Sequence, residues 1–130
     1  MKSYQKFSLE IIAICLVMAT SGCIPLLVGA AAGAGGVAYV KGAAVKNIDE
    51  SVEKIHKASL AALKKMGVFV TADELSGHTA LVKAEYGDGK KIQVKAEALT
   101  EYVSKVTVRV GAVGDPEESE LVLNAIEKEL

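Results

Sequence analysis

The chain has no tryptophan, and only four tyrosines and two phenylalanines among its 130 residues. So thin an aromatic complement argues against a stacking platform for carbohydrate or aromatic ligands. Metal-binding side chains are equally scarce. There are two histidines, His56 and His78, and two cysteines, both within the first 23 residues. A structural or catalytic metal needs three or four ligands, so none is expected. An excess of positive charge is missing too. Fifteen basic residues face sixteen acidic ones, a net charge of −1, which gives no reason to expect nucleic acid as a partner. Ser51, Ser59, Ser76, Ser104 and Ser119 lack the strained glycine-flanked turn of a serine nucleophile. The carboxylate pairs Asp73-Glu74 and Glu117-Glu118 read as a solvated strand end and a helix N-terminal charge. No catalytic residue, metal or cofactor is expected, and no enzyme.

What the chain does have begins at its start. Lys2 and Lys6 precede the uncharged run Ile11–Ala19, and small residues follow. This order of charge, apolar run and small side chains is that of an export signal. The run is shorter than the roughly 20 residues that span a bilayer. Thr20-Ser21-Gly22-Cys23 resembles the lipobox of bacterial lipoproteins. Thr20 stands where that motif prefers a branched apolar residue, and Glu10 interrupts the edge of the run. The resemblance implies cleavage between Gly22 and Cys23 and acylation of Cys23 with palmitate-type chains. A cleaved secretory signal with an incidental cysteine, or an uncleaved anchor, are the other readings. With Cys15 removed and Cys23 lipidated, the mature chain could form no disulfide. Ile24, rather than an aspartate, follows Cys23, so the outer membrane, on its periplasmic face, is the expected destination.

Residues 24–40, IPLLVGAAAGAGGVAYV, carry no charge. Gly29 and Gly33 are four apart, and Gly36 follows Ala32 at the same step; such spacing lets helices approach closely in a membrane. Three readings stand: an apolar tether at the membrane surface, a helix in or on the bilayer, and a soluble hairpin. Gly33-Ala34-Gly35 is no phosphate loop, because no strand precedes it and no Lys-Ser/Thr pair follows.

Helical periodicity is expected from Asn47, with Glu50 completing a capping box, through Ile48, Val52, Ile55, Ser59, Ala62, Leu63 and Met66 to a stop at Gly67. Four strands follow in the reading: Val68–Ala72, Thr79–Tyr86, Lys91–Ala98 and Tyr102–Val110. Gly87-Asp88-Gly89 marks a hairpin, and strict alternation gives one dry and one wet face. Asp115 and Pro116 start a second helix, with Ser119, Val122, Leu123, Ile126 and Leu130 on one stripe. The expected fold is α+β, a two-layer sandwich of a four-stranded antiparallel sheet with two helices on one face, in the order α-β-β-β-β-α. The expected organisation is a signal over residues 1–22, a lipidated apolar Gly/Ala-rich segment over 23–45, and a small periplasmic domain over 46–130.

The Cys23 motif, the stretch LLVGAAAGAGGVAYVKG, the helical Ala58-Ser59-Leu60-Ala61-Ala62-Leu63, and the segment from Gly87-Asp88-Gly89-Lys90-Lys91-Ile92 to Val108-Arg109-Val110-Gly111 together resemble one bacterial lipoprotein family, domain of unknown function 3568. The glycine-rich stretch is also similar to glycine-zipper segments of envelope lipoproteins. The resemblance implies a lipidated envelope protein and no assigned activity. The expected function is a structural or protein-interaction module held at the membrane, docking an envelope protein or a second copy. The alternative is a carrier of a small molecule or lipid between sheet and helices.

Overall fold

The computed structural model describes residues 36–130. The signal, the Gly22-Cys23 junction, Gly29 and Gly33 lie outside the described residues. Gly36 is exposed, two residues ahead of the first strand and outside any helix. The elements are β1 (Ala38–Val40), β2 (Ala43–Ile48), α1 (Val52–Lys65), β3 (Phe69–Leu75), β4 (Thr79–Glu85), β5 (Lys91–Ala98), β6 (Ser104–Val110) and α2 (Pro116–Glu127).

The sheet has six strands, not the expected four, in the order β1-β2-β6-β5-β4-β3. Every neighbouring pair is antiparallel. The meander β3-β4-β5-β6 is the expected part. The addition is a hairpin that lays β2 along the free edge of β6, pairing Ala44 with Val108 and Ile48 with Ser104. Its two-residue turn is Lys41-Gly42, with φ of 50° and 79°. Positive φ at both centres is the turn whose twist matches paired strands. The hairpin also corrects the start of the first helix. Asn47 and Ile48 belong to β2, and Ser51 is the N-cap, accepting from the Lys54 amide. Position 46 thus falls inside a strand, and Val37 already packs against the core.

Both helices cover one face. α1 lies over β3, β4 and β5, α2 lies over β6 and β2, and the two helices touch. The strand alternation decides which residues meet them. Val82, Val94, Val106, Val108 and Val110 are buried with Ile55, Leu63, Leu123 and Ile126. Each fully buried residue of this kind contributes on the order of 1.5–3 kcal/mol of apolar transfer. Leu130, expected on the α2 stripe, is exposed instead. α2 begins as its sequence reads: Asp115 accepts from the Glu118 amide, and Pro116 occupies the first turn. Ser119 is fully buried, accepting from the Val110 amide at 3.1 Å and donating to the Gly42 carbonyl at 3.2 Å. One hydroxyl therefore joins α2, β6 and the β1–β2 turn. The ion pair Lys46–Glu127, at 2.5 Å, joins β2 to the far end of the same helix.

Candidate functional site: the uncovered face of the sheet

Among the described residues nothing covers the opposite face of the sheet. Register assigns its residues. Lys83 stands opposite Gln93, and Gln93 opposite Arg109, one row across β4, β5 and β6. The next row runs from Leu81 through Lys95 and Thr107 to Val45. Glu85 and Lys91 face each other at one end, Glu97 and Lys105 at the other. Alternation that puts valines inward necessarily puts these residues outward. Five cations (Lys83, Lys91, Lys95, Lys105 and Arg109) share this face with three carboxylates, Glu74, Glu85 and Glu97.

Two shallow grooves cross the face and meet at Gln93 and Arg109. One, of about 530 Å³, runs between Val40 and Lys41 at the hairpin and Lys95, Lys105 and Arg109. The other, of about 470 Å³, runs from Thr71 past Lys83 and Lys91 to Gly111. The Arg109 guanidinium donates to the Lys41 carbonyl at 2.8 Å, which ties the hairpin turn to the groove wall. Glu97 bridges Lys95 at 3.0 Å and Lys105 at 3.2 Å. Hydrogen bonds from Lys95, then Lys105, hold its carboxyl below the ordinary carboxylate range. Phe69 and Val40, on the two edge strands, expose 70% and 52% of their surface toward the same side.

Elsewhere, polar groups serve the fold. His56, on α1, contacts the Asp73 carboxylate of β3. Asp73 and Glu74, adjacent in sequence, lie on opposite faces of that strand, so they do not act as a pair. Glu118 takes the Lys90 ammonium at 2.7 Å and raises its pKa, and Tyr86 is raised by burial. Ser59 donates to the Ile55 carbonyl and Ser104 to that of Glu50. His78 is exposed beside a third groove of about 480 Å³ at the β3–β4 turn. Among the described residues no group of three or more His, Cys, Asp or Glu is placed to hold a metal. None of their helices is long and apolar enough to cross a membrane.

Reading each strand alone marks the outward lysines and glutamates as a polar face, but not their arrangement. The rows exist only once register is known, and the groove beside Val40 needs the hairpin. Alternating Lys91-Gln93-Lys95 and Lys105-Thr107-Arg109 were the available signal.

The architecture defines a two-layer α+β domain with a helix-covered face and an open, cation-bearing one. The chain belongs to the family described as Protein of unknown function (DUF3568), whose model matches residues 6–129. No curated protein matches it.

Proposed function

We propose that this is a lipid-anchored protein of the bacterial cell envelope, exposed to the periplasm from the outer membrane, and that its domain works as a structural or interaction module rather than as a catalyst. The signal-like residues 1–22 and the Cys23 motif support the anchor. The observation that carries the interaction reading is the uncovered sheet face, where cations from three strands line grooves open to solvent. The carrier alternative has less support. The space between sheet and helices is filled by Val, Ile, Leu and Ala side chains, whereas a ligand-sized site would be a pocket of about 300–1,000 Å³ burying most of its ligand.

The test uses the full chain in living cells. A photo-crosslinking residue at Thr107 or Gln93, on the open face, should yield adducts, with another envelope molecule or with phospholipid. The same residue at Lys57, an exposed position on α1, should not. Adducts at Lys57 alone would overturn the assignment of the working face. Radiolabelled palmitate should enter the parent chain and not Cys23→Ser; equal labelling of both would overturn the anchor.

A further inference from the structure

We infer that the open face of the sheet rests on an anionic phospholipid surface, so that the domain lies with its cation rows toward the bilayer and its helices toward solvent. This deepens the reading of a membrane-anchored chain and rests on it. Three observations converge. The first is charge segregation. The whole chain has a net charge of −1, yet Lys83, Lys91, Lys95, Lys105 and Arg109 outnumber the carboxylates on this one face. Basic residues clustered on a surface are drawn to anionic headgroups within about a Debye length.

The second observation is where the chain enters. Residue 38 opens β1, and Val40, two positions on, lines the groove beside Lys95. Ala38 is the fifteenth residue after Cys23, so the face lies within a contour of about 50 Å of an anchor there. The third is the flanks. Phe69 and Val40 are exposed apolar side chains at opposite edges of the same face. Cations with an aromatic and aliphatic rim suit a headgroup boundary, where apolar bodies enter and charges remain wet. An acidic protein would match the charges but would not use the short separation in sequence between this face and an anchor at Cys23.

The experiment uses the full chain, purified from membranes in detergent and inserted into preformed vesicles. One set is phosphatidylcholine alone; in the other about a third is phosphatidylglycerol, which gives the surface its negative potential. Lysine acylation by a water-soluble reagent is followed by mass spectrometry. Lys83, Lys91, Lys95 and Lys105 should react about threefold or more slowly on the anionic vesicles, with Lys54, Lys57 and Lys64 on α1 unchanged. The protection should vanish near about 1 M salt, where the Debye length is about 3 Å. The double variant Lys83→Gln, Lys91→Gln should lose the protection at Lys95 and Lys105 while keeping its thermal transition. Equal rates on both vesicles would overturn the inference. So would salt-resistant protection on both, which would mean a second copy covers the face, or protection that needs an added acidic protein. The acyl mass on residue 23 is read from the same spectra. Its absence would overturn the anchor independently, because the soluble chain could still show protection on anionic vesicles.

Discussion

Replacing Gly42 by alanine tests whether the β1–β2 hairpin is part of the domain. Gly42 has φ of 79°, and a Cβ there would lie 2.4 Å from the Gly114 carbonyl oxygen. Gly114, at φ of 88°, approaches from the β6–α2 loop, and its own Cβ would meet the Lys41 carbonyl oxygen at 2.6 Å. Both obstacles are backbone atoms, so relief requires the hairpin turn and the loop to separate. That would also stretch the Ser119 hydroxyl away from the Gly42 carbonyl. Gly67 supplies the control. It has φ of 72° but nothing within 4 Å of its Cβ. Gly67→Ala should therefore cost only the left-handed backbone term, about 1–2 kcal/mol. Gly42→Ala should add an overpacking cost of about 1–3 kcal/mol, for a total near 2–5 kcal/mol. A domain of this size has roughly 5–15 kcal/mol in all. Each kcal/mol shifts the melting temperature by about 4–8 °C at this length. Thermal unfolding followed by circular dichroism should give a drop for Gly42→Ala at least about 5 °C larger than for Gly67→Ala. Equal drops, or none for Gly42→Ala, would refute the packing of the hairpin against the β6–α2 loop.

Val94→Asp puts a carboxylate at a position only 2% exposed under the helices; it should cost more than about 4 kcal/mol and abolish cooperative melting, whereas Lys95→Asp on the open face should stay within about 1 kcal/mol of the parent. Ser119→Ala leaves the buried Val110 amide without its acceptor, and chemical denaturation should show a loss of about 1–3 kcal/mol with an unchanged slope. Glu97 has a folded-state pKa below its ordinary 4.5, so its contribution is present above that value and is lost as pH falls through the carboxylate range. Being a surface pair it is worth less than about 1 kcal/mol, and Glu97→Gln should flatten the fall in melting temperature between about pH 6 and about pH 3; an identical fall would refute the bridge.

The middle of the chain was legible because local signals agreed with the fold. Lys91–Ala98 alternates without interruption and forms β5 with those bounds. Asp115 followed by Pro116 starts α2 where the capping pattern says. The hairpin was hidden because its residues mimic other elements. Asn47 and Glu50 have the spacing of a capping box, and Ile48 stands in step with Val52 and Ile55, so a helix fits the local pattern from Asn47 onward. Ala43 and Ala44 are weak strand formers on their own. What outweighs local preference is the free edge of β6. Unpaired backbone groups along a buried strand are costly, and β2 satisfies them over five paired positions. No local window contains that demand, since β6 lies some sixty residues further along.

The open face was hidden for a different reason. Within one strand, an outward lysine is simply what alternation leaves for solvent, and solvation explains it without any partner. Register changes the meaning of the same residues. It sets Lys83, Gln93 and Arg109 in one row and Lys95 in the next, and it gives Glu97 two lysines to bridge instead of one. Arg109, Lys95 and Lys105 then flank one groove lined by Ala43, Val45 and Thr107, side chains too short to fill it, while Lys83 and Lys91 line the other. The helices already bury the apolar face of every central strand, so the fold draws from this second surface mainly the Arg109–Lys41 tie and the Glu97 bridges. A purely solvated face would have no need to collect five cations across β4, β5 and β6 of a chain that carries more acid than base. The proposal that these cations meet an extended anionic surface rests on that arrangement, which only the register of three strands displays.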